Sequence, residues 1–319
     1  MLFQCRALRG IYTAQPKVVY ACLMNTQANR PEPPITLGPD EARNLPTWRA
    51  AFSERTAELM AKLALLSYES DPEKLSQLLK AGQFTLLARY DQDGSQAFLA
   101  RADDFAVIAF RGTDSYRDWK TNLMSEAVLV DTRLGSVEIH KGFMKAYDRI
   151  GAQVLADVNR LVPDTKGLYL TGHSLGGAMA QIASTQLERD NLAACYTFGA
   201  PRVGDLSFDR LVVCPHYRLV NGWDLVTTMP PPIFTSYRHT GDPRLLTSSG
   251  KPIMRRDRSP FVKIFHTIIG LISFVFGNPR LLDDHRMEAY IDKIKAARAL
   301  RGEARVGGMF DQVLGLPVG

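Results

Sequence analysis

The chain lacks any run of 18 or more apolar residues, so no segment reads as a membrane-spanning helix. Cysteine is scarce. Cys5, Cys22, Cys195 and Cys214 lie far apart without a C-x-x-C pair, which gives neither a disulfide framework nor a metal site. Cys195 and Cys214 sit in apolar stretches and read as buried thiols. Excess charge is modest too: a net +6 comes without a lysine/arginine stripe interleaved with aromatics, which argues against a nucleic-acid partner. The same excess favours approach to an anionic membrane surface. No internal repeat is present.

What is there suits a globular protein. The 319 residues, 45% hydrophobic and 23% charged, are enough for one large α/β domain or two small ones. Residues 1–46 read as a poorly ordered leader closing in a proline-rich linker. Within it, residues 18–24 are apolar and follow basic residues, at the shortest length for a signal-peptide core. Val19-Tyr20-Ala21-Cys22 is similar to a lipoprotein cleavage box apart from its tyrosine. Neither assigns a compartment, so the expectation is a cytoplasmic or membrane-associated protein, with non-standard export left open. Residues 47–301 form the expected catalytic domain, and 302–319 a loose tail.

Inside that domain a helix is expected over 47–67 and another after Asp71-Pro72, where aspartate caps and proline takes the first helical position. Segments 84–90 and 96–102 flank Asp91-Gln92-Asp93-Gly94 and read as a hairpin. The run 105–110 is apolar throughout, as in a strand buried on both faces. Helical and strand patterns then alternate: helix 142–161, strand 167–171, helix 176–189, strand 194–198, a short helix near 205–211, strand 216–220, and a last amphipathic helix over 287–300. Such alternation predicts a mostly parallel sheet covered by helices.

The chemistry centres on Gly172-His173-Ser174-Leu175-Gly176, which fits G-x-S-x-G between an apolar strand and a helix. In that setting the serine sits on a strained turn and projects its hydroxyl from the top of the sheet. A neutral hydroxyl needs a base, and the base a buried acid, in the chain order Ser, Asp or Glu, His. Asp224 follows strand 216–220 at its carboxyl end, where parallel sheets place their sites; the plain alternative is a turn aspartate beside Asn221-Gly222. Of His239, His266 and His285, the last is favoured because it lies in a loop just before the final helix. His140 and His173 read as structural. Leu175 N–H and Thr113 N–H, the latter after buried strand 105–110, are the expected oxyanion donors; the alternative is an ordinary glycine turn.

These segments resemble the class 3 lipases, the family of fungal triacylglycerol lipases and their bacterial and plant relatives. The resemblance rests on FRGTDSYRDWKTNL (110–123), IHKGF (139–143), GHSLGGAMA (172–180), TFGAPRVGD (197–205), VNGWDLVTTMPP (220–231) and DHRMEAYI (284–291). It implies an α/β-hydrolase fold, a Ser174–Asp224–His285 triad with Thr113 and Leu175 as oxyanion hole, and no cofactor. It also implies a lid at 116–122 containing Trp119. Asn122 departs from the aspartate of the fungal members, and the interval from Asp224 to His285 is long.

That interval holds Lys251, Arg255, Arg256, Arg258 and Lys263 beside an apolar run over 261–276. As a helix it presents Phe261, Ile264, Phe265, Ile268, Ile272 and Val275 on one wide face. At roughly 24 Å it is shorter than the ~30 Å hydrocarbon core. Two readings stand: a core helix beside the sheet, or a lid or membrane-docking insertion over 253–280 whose basic flank meets anionic headgroups. The expected function is hydrolysis of lipid acyl esters, with a lipid ester as substrate and no protein partner implied. The same machinery could serve phospholipids or another acyl transfer. A catalytically silent lipase-fold binding protein is the alternative of a different class.

Overall fold

The computed structural model describes residues 36–113, 127–132, 135–187, 189–222, 224–232, 235–247 and 283–314, with isolated positions between 251 and 269. A seven-stranded sheet organises the body in the order β1-β2-β3-β6-β7-β8-β9. Thr85–Gln92 (β1) and Ser95–Ala102 (β2) pair antiparallel through the two-residue turn Asp93-Gly94, both at positive φ (49° and 80°). From Phe105–Phe110 (β3) the sheet turns parallel through Gly167–His173 (β6), Leu192–Phe198 (β7), His216–Asn221 (β8) and Asp242–Leu246 (β9). β3, β6, β7 and β8 are buried at every position, which is why their sequences do not alternate.

Helices cover both faces. Glu54–Leu66 (α1) is capped by Ser53, whose hydroxyl accepts the Thr56 N–H, and Pro72–Ala81 (α2) by Asp71, which accepts from Glu73 and Lys74. Lys141–Leu161 (α3) and Leu175–Gln186 (α4) share a core with β3 and β6 through Phe143, Ile150, Val154, Met179 and Ile182. A one-turn helix, Leu206–Asp209 (α5), precedes β8, and Met287–Leu314 (α6) closes the chain. Buried Glu54, Glu58 and Lys62 on α1 are all paired: Lys62 with Glu58 at 3.1 Å, Arg298 with Glu58 at 2.9 Å, Arg301 with Glu54 at 3.0 Å. α6 is thereby fastened to α1.

Several boundaries differ from expectation. The first helix begins at Glu54 rather than 47, because the preceding backbone bonds to the sheet instead: Ala50 N–H donates to Ala193 O, and Tyr217 hydroxyl to Ala50 O. Residues 36–46, expected in the linker, pack on the body with Leu37, Ala42 and Leu45 buried. α4 stops at Gln186, short of 189. α6 continues past 301 to Leu314, since Gly302 costs a helix only about 1 kcal/mol. Two elements lie outside the expected alternation of strands and helices: the separate hairpin of Ala127–Thr132 (β4) with Gly135–His140 (β5), and β9. β9 contains Pro243, tolerated because β9 is the edge strand of the seven-stranded sheet. Beyond β9, Met254 exchanges two backbone bonds with Leu245, and Asp257 pairs at 2.8 Å with buried Arg218 of β8. The start of the expected insertion is thus tied to the sheet. Farther along it, Val262, Ile264, Phe265 and Ile268 are exposed. Phe261, Ile272 and the expected lid with Trp119 lie outside the described residues, as does the leader 1–35.

Two buried features bear on stability. Cys195 and Cys214 are free thiols, both raised by burial, Cys214 to about 11. His216 joins β7, α4 and the approach to β9. Thr240 donates to Gln181 Oε1 at 2.9 Å, so its oxygen accepts from His216 Nδ1 (3.2 Å), and Nε2 in turn accepts from the Thr197 hydroxyl (3.0 Å). Burial, reinforced by nearby Arg218, lowers His216 from 6.5 to about 3. Between these values the unfolded chain holds a proton that the folded chain refuses, so stability is complete above pH 6.5 and falls as pH drops toward 3. His216→Gln is expected to flatten this decline, measured as the loss of urea midpoint between about pH 7 and about pH 4.5.

Candidate active site

The carboxyl ends of β6, β7 and β8 meet at one edge of the sheet, and the expected site residues leave from them. β6 ends at His173, and Ser174 follows with φ 55° and ψ −125°, a conformation L-residues rarely adopt. Neighbours enforce it: Ser174 N–H donates to Phe198 O at 2.9 Å, and Gly177 N–H to Ser174 O at 3.0 Å. A Cβ on Gly176 would come within 2.1 Å of Phe110 O, so the turn lies directly on the end of β3. The chain leaving β3 follows the same surface. Gly112 is close enough that a Cβ there would stand 3.2 Å from Ser174 Cβ and 2.6 Å from His173 O. Thr113 therefore follows a residue in contact with the serine. Leu175 opens α4, where the first N–H groups have no intrahelical acceptor.

Asp224 comes off the loop after β8 with no exposed surface. Its Oδ1 accepts Val226 N–H at 2.9 Å. Its Oδ2 accepts from the Tyr290 hydroxyl at 2.6 Å and from His285 Nδ1 at 2.8 Å. A carboxylate that only accepts fixes the proton of His285 on Nδ1, leaving Nε2 as the basic nitrogen. Gly199, at the end of β7, makes room for this pair. It has φ 60°, and a Cβ there would lie 2.6 Å from Asp224 Oδ2 and 2.8 Å from His285 Nδ1.

His173, read from sequence as structural, touches His285 twice. Their ring centroids are 4.4 Å apart, and His173 Nε2 lies 2.6 Å from the His285 carbonyl oxygen. A carbonyl accepts only, so Nε2 carries the proton and Nδ1 accepts the Tyr68 hydroxyl at 2.8 Å. Burial, with the neighbouring His285 second, lowers His173 to about 3 and keeps it neutral.

The structure thus joins His285 to Asp224 and seats His173, the residue before Ser174, against the same ring. Ser174 Oγ and His285 form no hydrogen bond, an arrangement common in sites without substrate. The other histidines are engaged elsewhere: His239 Nε2 donates to Thr227 O at 2.7 Å, and His140 stacks on Phe143 at 4.0 Å. His266 lies outside the described residues. Sequence reasoning missed Tyr68, Gly199, Asn221 and Tyr290. Only Tyr290 had a legible signal, since the phase of the last helix puts it on the same buried side as Met287 and Ile294. Among the described residues no cluster of histidine, cysteine and carboxylates could hold a metal ion.

Residues 107–234 match the family model described as lipase (class 3). Over 140 residues the chain is 36% identical to a secreted mono- and diacylglycerol lipase of Fusarium solani, covering 42% of this chain and 41% of that one. Over 169 residues it is 34% identical to a lipase of Rhizomucor miehei, covering 49% and 46%. The chain thus spans under half the length of these relatives. Among solved structures, a triacylglycerol lipase whose catalytic centre is described as a serine protease triad superposes with a TM-score of 0.55 at 28% identity, over 62% of this chain and 83% of that one. The fold is that of the α/β-hydrolases.

Gly199→Ala is expected to force the Asp224 carboxylate and the His285 ring apart and to cost about 1–3 kcal/mol or more. Loss of the downfield imidazole N–H resonance, with a lowered unfolding midpoint, would check it.

Proposed function

We propose that this chain, whose residues 107–234 match the class 3 lipase family model, hydrolyses the carboxylic esters of lipids through Ser174, Asp224 and His285. The observation that carries the reading is the buried Asp224–His285 contact beside a serine held at φ 55°. His285 Nε2 takes the Ser174 proton as the hydroxyl oxygen attacks the ester carbonyl. The N–H groups of Thr113 and Leu175 receive the oxyanion. The intermediate collapses, His285 protonates the departing alcohol, and an acyl-serine remains. Water, deprotonated by the same ring, attacks the acyl carbon and releases the fatty acid and the serine. Asp224 holds the imidazole's orientation and stabilises its cation in both halves.

The substrate lies in an aggregate surface, and the segment after β9 suits contact with it. Ile264, Phe265 and Ile268 are 59%, 53% and 52% exposed, whereas a core helix would bury them. Exposed Lys251, Arg255 and Arg256 lie just before them in the chain, next to the point where Asp257 is tied to Arg218. An apolar face with a basic flank favours peripheral docking on anionic lipid. Among the described residues no helix is long and apolar enough to cross a membrane.

Ser174→Ala is expected to lower hydrolysis of both lipid and short soluble esters by about 10⁴-fold or more, and to abolish labelling by a fluorophosphonate. Full activity in that variant would refute the nucleophile; a binding protein would not label in the first place. A Phe265→Ser, Ile268→Ser double variant is expected to lose sedimentation with anionic vesicles while keeping turnover of the soluble ester. Unchanged sedimentation would return the segment to the core-helix reading.

A further inference from the structure

His285 is reached last along the chain, after the long stretch that follows β9. Its imidazole direction depends on the main chain of residues 283–285, a single tight turn before α6. The two carbonyls flanking the His285 Cα are both held, and by side chains from the strands that carry the serine and the aspartate. The carbonyl of Asp284 accepts Asn221 Nδ2 at 2.7 Å. Asn221 is the last residue of β8, and Lys293 Nζ fixes its amide by donating to Oδ1 at 2.5 Å. The carbonyl of His285 accepts His173 Nε2 at 2.6 Å, and His173 is the last residue of β6, directly before Ser174.

Resting on the triad reading, we propose that His173 and Asn221 are positioning residues that clamp the two peptide planes on either side of His285. Peptide groups are planar, so holding consecutive carbonyls fixes the backbone dihedrals between them. Only the side-chain torsions of His285 remain, and these are set by Asp224 Oδ2 at one ring nitrogen and by the His173 ring 4.4 Å away. The strand ends that present nucleophile and acid thereby place the base as well, independently of the stretch that precedes it.

Tyr68 has a defined part in this arrangement. His173 can hold a carbonyl only with its proton on Nε2; the other neutral tautomer would turn a lone pair toward the carbonyl oxygen. The accept-only His285 carbonyl sets the Nε2-protonated tautomer, and the Tyr68 hydroxyl supports it by donating to Nδ1 at 2.8 Å. Burial keeps the ring uncharged beside an imidazole that becomes a cation during turnover.

A double-mutant cycle with His285 tests the assignment, because a residue that acts only through His285 has nothing to place once that ring is gone. In the otherwise unchanged chain, His173→Phe keeps an aromatic ring without nitrogens; it is expected to lower kcat on a soluble ester by about 10²-fold with KM altered less than about 2-fold. In a His285→Ala background the same change should alter the residual rate by less than about 2-fold. His173→Gln, which retains a donor near the Nε2 position, should recover most of the loss. Should His173→Phe unfold, as judged by its thermal midpoint, Tyr68→Phe enters the cycle with a smaller expected loss of about 10-fold. Equal losses in both backgrounds, or no loss with His285 present, would overturn the clamp. Full activity of His285→Ala alone would instead overturn the triad reading, and this inference with it.

Discussion

A carboxylate with no exposed surface must find its hydrogen bonds inside the protein, and Asp224 is in that position. Among the donors that meet it are the Val226 N–H, the Tyr290 hydroxyl and His285 Nδ1. Each comes from a different stretch of chain, so satisfying one charge draws the loop after β8, the turn at 283–285 and the closing helix to one point. Tyr290 belongs to α6, and α6 is fastened to α1 by Arg298–Glu58 and Arg301–Glu54. α1 in turn packs on the sheet and leads into Tyr68, which touches His173. The site's geometry is therefore supported from behind by the ion pairs between two helices that contribute no reacting group.

Close approach of backbone is the second constraint. The turn at Ser174 lies against the chain leaving β3, and the end of β7 lies against Asp224 and His285, leaving no room for a Cβ at Gly176 or Gly199. These contacts bring the proposed oxyanion donors and the proposed nucleophile onto one rigid surface, where nothing need reorganise as charge develops. The basic and apolar segment after β9 is built differently. Its start is fixed by Met254 and Asp257, while Val262, Ile264, Phe265 and Ile268 stand in solvent. A fixed start beside an exposed greasy face suits a part that meets a surface while the chemistry stays in the sheet.

Much of this was legible in the sequence. The apolar run 105–110, the Asp93-Gly94 turn and the alternation after residue 141 give the sheet, because burial on both faces and hairpin geometry leave strong local marks. The elbow motif marks Ser174, and chain order points to Asp224 and His285, which the structure brings into contact. What stayed hidden depends on contacts distant in sequence. Tyr68 and His173 are 105 positions apart, and Asn221 and Asp284 63, and no local pattern announces such pairs. The first helix was placed too early because residues 47–53 carry helix-compatible composition, yet their backbone groups are taken up by Ala193 and Tyr217. β9 leaves no strand signal in the sequence because Gly241-Asp242-Pro243 carries turn chemistry, which an edge strand can absorb.

The thiols of Cys195 and Cys214 belong to this same packed interior. Shut away from water and held protonated, they offer an electrophile no thiolate to attack while the sheet is intact. Alkylation at these two positions then requires the sheet to open around β7 and the approach to β8, the strands that carry Gly199 and lead to Asp224. The native chain therefore carries its own chemical clock for the opening of this framework, readable by mass spectrometry as the mass gained at the two thiols on alkylation.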